Sequence, residues 1–222
     1  MFSKNDTKIL DNLGDNIIAS TDSINITFTG NLNTDYDKLV SLVESNPSLL
    51  NKTIGVCRKT LLHRSVEHNR VGMVKYLLEK GAQHLYDING NRPLHSACLS
   101  SGNRDIADLL IQHGADREIA NIEGDRPIHL AAASENVEIL KCLLDHGTEM
   151  MSKGWAGNYA LHFAAENPNI EVLKELLNRG FDVSVTNNNL ETALHVAAGA
   201  SGFDSVGHIQ LLLELGARLN SR

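Results

Sequence analysis

A Leu-His or Ile-His pair returns at a nearly constant interval along the chain, and this repeat constrains the fold more than any other feature. The histidines are His63, His95, His129, His162 and His195, so successive members are about 33 residues apart. A glycine follows each histidine at a similar offset, namely Gly81, Gly114, Gly147, Gly180 and Gly216. A period of this length indicates a stack of similar units, each of which buries its apolar face against its neighbours.

Each unit has the residues of a turn followed by two short helices. The turns contain glycine, as in Asp-Ile-Asn-Gly at 87–90, where glycine readily takes the positive φ of a tight turn. Thr60 stands at a predicted helix N-cap, and Pro93 at a first helical position. Each second helix has an apolar stripe that ends in Leu-Leu or Leu-Ile, and the glycine after it suits a left-handed C-cap.

These units resemble the ankyrin repeat, whose core reads Thr-Pro-Leu-His-x-Ala. The corresponding stretches here include Arg-Pro-Leu-His-Ser-Ala at 92–97 and Arg-Pro-Ile-His-Leu-Ala at 126–131, and no unit has the complete hexapeptide. The resemblance implies an all-α solenoid of helix-turn-helix units joined by β-turn or hairpin loops. It says little about function, because one fold hosts many roles.

The repeat pattern also predicts the organisation of the chain. Five ankyrin repeats are expected at about 55–86, 87–120, 121–153, 154–186 and 187–222. Residues 32–54 are expected to form a degenerate N-terminal capping repeat, and 1–31 an extension that is partly disordered or forms a short strand at 23–29. The apolar last helix suggests that the chain continues past Arg222, or that a partner covers this face.

Composition and motifs argue against several functional classes. The formal net charge of -7 disfavours nucleic-acid binding, and the sequence has no apolar run long enough to cross a membrane. The three cysteines are far apart, which predicts free thiols in the cytoplasm and neither a disulfide framework nor a metal site. GxSxG, GxxxxGK[ST] and GxGxxG motifs are absent, so we expect no enzyme activity, no cofactor and no small-molecule substrate. We expect the five repeat histidines to be structural, holding adjacent turns in line.

The resemblance implies a contact surface made of the turn tips and the exposed face of each first helix. The residues expected to bind a partner are Val56, Ile88, Ile122, Trp155, Glu67, His68, Leu99, Ser100, Ala133, Ser134, Glu166 and Asn167. The first four are apolar residues at turn positions that normally face solvent, and together they predict an apolar ridge. The alternative is that they pack on neighbouring turns and stiffen the hairpins.

The sequence therefore predicts a scaffold or adaptor that binds another protein with a basic or apolar segment. Two alternatives stay open. One is a substrate-recruiting module of a larger enzyme. The other is an exported bacterial or viral effector that imitates host ankyrin proteins and acts in the host cytoplasm.

Overall fold

The computed structural model describes residues 32–100, 103–201 and 204–216, and in these ranges the chain is all-α, as predicted. The one β-type pairing among them is an isolated bridge between Ile54 and Lys59. The strand expected at 23–29 lies outside the described residues. Within the described ranges, α-helices occupy Leu32–Ser45 (α1), Leu61–Glu67 (α2), Val71–Glu79 (α3), Pro93–Leu99 (α4), Arg104–Gln112 (α5), Pro127–Ala133 (α6), Val137–Asp145 (α7), Ala160–Ala165 (α8), Ile170–Asn178 (α9), Ala193–Gly199 (α10) and Val206–Glu214 (α11); short 3-10 helices occupy Pro47–Asn51 and Trp155–Gly157.

The chain divides into two compact units, Met1–Pro93 (unit 1) and Leu94–Arg222 (unit 2). In unit 1, α2 and α3 form a helix pair, α1 packs against α3, and the 3-10 helix packs against α2. Leu39 and Val43 of α1 and Leu49 of the 3-10 helix are buried. The α1 helix thus lies beside α3, and the capping repeat expected at 32–54 stays a prediction.

Unit 2 contains two layers of helices. The first helices of successive repeats, α6, α8 and α10, pack on one another, and the second helices α5, α7, α9 and α11 do the same. The core between the layers is aliphatic, as the low aromatic content requires. It includes Leu94, Ile106, Leu110, Ile128, Ile139, Leu143, Leu161, Val172, Leu173, Leu176 and Leu194, each at most 1% exposed. Their burial supplies the main driving force for folding, because apolar area is removed from water.

Four of the five repeat histidines, His63, His95, His129 and His162, join their own first helix to a backbone carbonyl of the next repeat or at its border. The backbone N–H of Arg126 donates to His129 Nδ1 at 3.0 Å, and that of Tyr159 donates to His162 Nδ1 at 3.2 Å. Since Nδ1 accepts, Nε2 carries the proton of the neutral ring. Nε2 of His129 donates to the Ser152 carbonyl at 2.9 Å, and Nε2 of His162 donates to the Glu191 carbonyl at 2.9 Å.

The other three repeat histidines make parts of the same pattern. In unit 1, His63 Nδ1 accepts from the Thr60 N–H at 3.2 Å and Nε2 lies 3.1 Å from the Asn91 carbonyl. In unit 2, His95 Nε2 lies 3.3 Å from the Asp125 carbonyl, and His195 Nδ1 lies 2.7 Å from Thr192 Oγ1. Each ring therefore satisfies polar backbone or hydroxyl groups at a helix N-terminus or in a neighbouring turn.

A second periodic feature caps three of the second helices of unit 2. Asn103, Asn136 and Asn169 stand at the same position of successive repeats, and each side-chain oxygen accepts the N–H two residues later, at 2.8, 3.1 and 3.1 Å. Asparagine is a favoured N-cap because its oxygen satisfies an N–H that has no partner within the helix. These caps begin α5, α7 and α9 at the same place in each repeat.

Gly154 marks a close approach between two turns of unit 2. A Cβ at this residue would overlap Asp125 Oδ1 and lie 2.8 Å from His129 Nδ1. These two groups are fixed: Asp125 Oδ1 accepts the Trp155 N–H at 2.8 Å, and His129 is held at both ring nitrogens. Neither can withdraw without losing a hydrogen bond, so the position requires glycine.

We expect Gly154→Ala to lower the free energy of unfolding by about 1–3 kcal/mol, as overpacking of a fixed site does. Gly199→Ala is the matched control. It lies at the end of α10 with no atom within 4 Å of an added Cβ, so alanine should raise stability by up to about 1 kcal/mol. Urea denaturation followed by circular dichroism measures both. Equal effects of the two substitutions would contradict the close approach at Gly154.

We also expect stability to fall as pH drops below about 6.5, the ordinary histidine pKa. Burial lowers the pKa of His129 and His162 in the folded protein. The unfolded chain then binds more protons than the folded one, so their contribution is complete above the unfolded pKa and is lost as pH falls through the lowered folded value.

Urea denaturation between pH 8 and pH 5 measures this dependence. The His129→Gln variant has one buried imidazole fewer, so its stability should fall less steeply over the same interval. Burial lowers the pKa of His208 as well, so part of the dependence should remain in that variant. A wild-type stability that stays constant or rises towards pH 5 would refute the assignment.

Candidate functional site

Three turns of unit 2 have the same closed form. They span residues 121–125, 154–158 and 187–191, and in each the first N–H donates to the last carbonyl, at 2.9, 2.8 and 3.0 Å. In the first and third turns an asparagine side chain also accepts two N–H groups of its own turn. Such side-chain bonds stabilise tight turns. The turns are therefore well-defined supports for the residues at their tips.

These three turns lie side by side. The Trp155 N–H donates to Asp125 Oδ1 at 2.8 Å, which joins the first turn to the second. The Asn188 N–H donates to the Ala156 carbonyl at 3.2 Å, which joins the second to the third. Residues at the three tips consequently belong to one surface of unit 2.

That surface exposes large apolar side chains. Ile122 is 72% exposed and Trp155 is 53% exposed, as the turn pattern predicted. The alternative expectation was that these side chains pack on neighbouring turns, but more than half of each remains in contact with water. Exposed apolar residues grouped in this way commonly mark interaction surfaces, and tryptophan is enriched among the residues that dominate binding energy.

Leu190 adds a third apolar side chain, one that sequence reasoning missed. It is 60% exposed and its backbone has a φ of +63°. Gly124 and Gly157 occupy the corresponding place in the other two turns, also at positive φ. A bulky residue in the left-handed region costs about 1–2 kcal/mol. The signal in the sequence was a leucine where the repeat pattern places a glycine.

The predicted apolar ridge is divided between the two units. Val56 and Ile88 lie in unit 1, where they are 78% and 52% exposed. The Ile88 N–H donates to the Cys57 carbonyl at 3.0 Å, so their turns are neighbours within that unit. Ile122 and Trp155 lie in unit 2, so each half of the predicted ridge is a surface of its own unit.

The residues predicted on the first helices have different surroundings. His68, Leu99, Ala133 and Glu166 are exposed, whereas Glu67, Ser100 and Ser134 are half-buried. The two serine hydroxyls donate to carbonyls of their own helices, those of Ser96 and Ala131. The Glu67 carboxylate lies 2.9 Å from Lys59 Nζ. That carboxylate already has a basic partner within the chain.

Asn167 corrects the sequence-based expectation. It was placed on the exposed groove, but it is 1% exposed. Its amide donates to the carbonyls of Ala132 and Ser134, and its oxygen accepts the Asn169 N–H at 2.8 Å. The side chain connects the end of α6 to the loop before α9, so it is committed to structure. The repeat pattern placed Asn167 at a variable position of the first helix. It could not show hydrogen bonds to residues more than 30 positions away in the sequence.

Charged side chains cross-link the second helices of unit 2. Asp145 on α7 accepts from Arg104 of α5 at 2.8 Å and from Arg179 after α9 at 2.7 Å. The two guanidinium groups hold the pKa of the Asp145 carboxyl below its usual range. Exposed pairs like these contribute little individually, so their main effect is to fix the side chains near α7.

One group of side chains in the described ranges has the composition of a metal site. It consists of Asp108, Cys142 and His146, whose potential ligand atoms all lie within 4.8 Å of one another. The sequence predicted no metal site, since the three cysteines are far apart and none is paired in a CxxC motif. Asp108 and Cys142 belong to different repeats and come close only when α5 packs on α7. The sole local signal was the Cys-x-x-x-His spacing at the end of one helix. Elsewhere, no helix in the described ranges is long and apolar enough to cross a membrane.

Comparisons with known proteins indicate the same repeat architecture as the helix packing does. The family model described as ankyrin repeats (3 copies) matches residues 31–121 and 128–222. Mouse protein phosphatase 1 regulatory subunit 27 is 47% identical over 70 residues, which is 31% of this chain and 45% of that protein. A putative ankyrin repeat protein of Rickettsia felis is 41% identical over 88 residues, 36% of this chain and 39% of the relative.

Other relatives are far longer than the region of similarity. Human BCL-6 corepressor-like protein 1 is 33% identical over 102 residues, 44% of this chain and 5% of that protein. The similarity thus spans less than half the length of each of these three relatives.

Proposed function

We propose that this chain, which belongs to the ankyrin-repeat family, acts by binding another protein through the three adjacent turns of unit 2. Ankyrin repeats are in general protein-interaction modules. The observation that supports this site is the exposure of Ile122, Trp155 and Leu190 on turns joined by hydrogen bonds. The proposed role is non-catalytic, because surface complementarity alone accounts for these residues.

The turn surface is suited to an anchor residue because its backbone is fixed. Trp155 sits on a turn whose N–H groups and carbonyls are bonded to the turns on both sides. Little backbone freedom is lost on binding, so more of the interaction energy of the indole remains as affinity. Leu190 at positive φ fits the same role, since strained residues persist where function needs them.

The partner segment should be apolar with basic flanks. Glu123 beside Ile122 and Glu166 at the end of α8 are both exposed, and the whole chain has a net charge of -7. Acidic groups at the rim would attract Lys and Arg side chains and would mainly accelerate association. The exposed Ala133 is small enough to leave room beside a bulky partner side chain.

We expect a photo-reactive amino acid at position 122 to cross-link the partner, whose affinity is then measured with the purified protein. Trp155→Ala should weaken that affinity about 30-fold or more, as removal of a dominant contact does. Trp155 is the single tryptophan, so a blue shift of its fluorescence on binding reports burial directly.

Val206→Ala is the matched control, because Val206 is an equally exposed apolar residue on α11 in the same unit. Its affinity for the partner should equal that of the wild type. If Trp155→Ala binds as tightly as Val206→Ala, the turn surface is not the binding site.

The relative named as a phosphatase regulatory subunit supports a second proposal. This chain would be a non-catalytic regulatory or substrate-recruiting part of an enzyme. The test is direct binding to the catalytic subunit of protein phosphatase 1, with phosphatase activity measured on protein and small substrates. We expect binding that changes activity on protein substrates more than on small ones. Absence of binding would remove this second role and leave the turn surface untouched.

A further inference from the structure

Asp108, Cys142 and His146 form a cluster on the second helices of unit 2. Cys142 and His146 lie one helical turn apart, in α7 and at its C-cap, and their side chains therefore share a face. Asp108 comes from α5, which packs on α7. Asp108 Oδ1 lies 3.1 Å from Cys142 Sγ and 2.8 Å from His146 Nε2. One carboxylate oxygen thus joins the thiol to the imidazole.

We propose that these three side chains form a binding site for a zinc ion. Sulfur, imidazole nitrogen and carboxylate oxygen are the ligand types that zinc takes in proteins. A thiolate and a carboxylate together carry two negative charges, which balance Zn²⁺. The site is independent of the proposed partner surface, because it lies on second helices and shares no residue with the turns.

The geometry requires only small side-chain movements. Zinc bond lengths of about 2.0–2.3 Å in a tetrahedron place ligand atoms roughly 3.3–3.6 Å apart. The two observed separations involving Asp108 Oδ1 are slightly shorter, and the Sγ to Nε2 separation is at most 4.8 Å. In the metal-free protein, the hydrogens of the thiol and the ring lie between these atoms. Zinc would replace both of them.

The proton balance of binding follows from these hydrogen bonds. The Cys142 thiol releases its proton to solvent when sulfur bonds to zinc. The His146 ring loses its Nε2 proton to solvent and takes one from solvent at Nδ1, so the ring stays neutral and Nε2 can coordinate. The net release is therefore the single proton of the thiol. Asp108 Oδ1 accepts both hydrogen bonds, so this carboxylate oxygen already faces the position that zinc would take.

The surroundings leave one side of the site open. The side chains of Asp108 and His146 are 27% and 31% exposed, while Cys142 is buried beneath them. A water molecule can therefore complete the tetrahedron from the solvent side. Arg104 approaches the other carboxylate oxygen, Oδ2 of Asp108, at 3.6 Å, and is itself held by Asp145 at 2.8 Å. Oδ1 is left facing the thiol and imidazole.

The cluster is not part of the repeat. His113 stands at the position equivalent to His146, just before the glycine that ends α5. One turn earlier, α5 has Leu109 where α7 has Cys142. His113 Nδ1 lies 2.9 Å from the Leu109 carbonyl. Repeat architecture alone therefore explains a histidine at this position but not the thiol and carboxylate beside it.

The test uses the full chain, freed of metal and kept reduced. Titration with Zn²⁺ against a chromophoric chelator should give one tight site per chain, and Co²⁺ should give a thiolate-to-metal charge-transfer band. Cys142→Ser should abolish that band, and His146→Gln should lower zinc affinity at least about tenfold. Bound zinc should also raise the midpoint of thermal unfolding.

His113→Gln and Cys57→Ser are the controls, and both should retain the band and the affinity. Circular dichroism establishes that each variant is folded; if the buried Cys142→Ser is not, the half-exposed His146→Gln decides. The proposal is overturned if the wild type shows no charge-transfer band, if the band survives in folded Cys142→Ser, or if His113→Gln weakens binding as much as His146→Gln.

Discussion

The bridge from a repeat histidine to the next turn is the interaction on which the architecture of unit 2 depends. A buried imidazole accepts at Nδ1 from the start of its own helix and donates from Nε2 to a carbonyl in the neighbouring repeat. One side chain thus orients a helix N-terminus and a neighbouring turn together. The neutral ring is essential, because a charged imidazole has no acceptor for the helix N–H. Burial favours that neutral form by lowering the pKa of His129 and His162.

Because the turns are fixed in this way, they can present side chains that the core does not need. Ile122, Trp155 and Leu190 project from turns whose backbone groups are already satisfied, so their apolar surface is available to a partner. Gly154 allows two of these turns to approach closely. Rigid supports and exposed apolar tips are a combination that favours binding, because little entropy is lost when the partner arrives.

Departures from the repeat are more informative about function than the repeat itself. Regular positions are occupied by residues that cap helices, close turns or fill the core. Leu190 stands in place of a turn glycine, and Cys142 stands at a second-helix position where the other repeats have tyrosine, leucine or glutamate. The repeat accounts for neither residue. The two proposed sites follow from such exceptions. They lie in different parts of unit 2, one on turn tips and the other on second helices.

The helix-turn-helix units could be predicted from the sequence, because each depends on local signals that recur once in every repeat. Caps, prolines, glycines and the aliphatic stripe all act within a few residues of one another. Ile122 and Trp155 could be identified as exposed apolar residues in the same way, because each occupies a turn position that normally faces solvent. Only the tertiary structure shows the hydrogen-bond partners of Asn167 and Asp108, because those partners lie on neighbouring repeats. Repeat periodicity determines which positions become neighbours, whereas packing determines which side-chain atoms come within bonding distance.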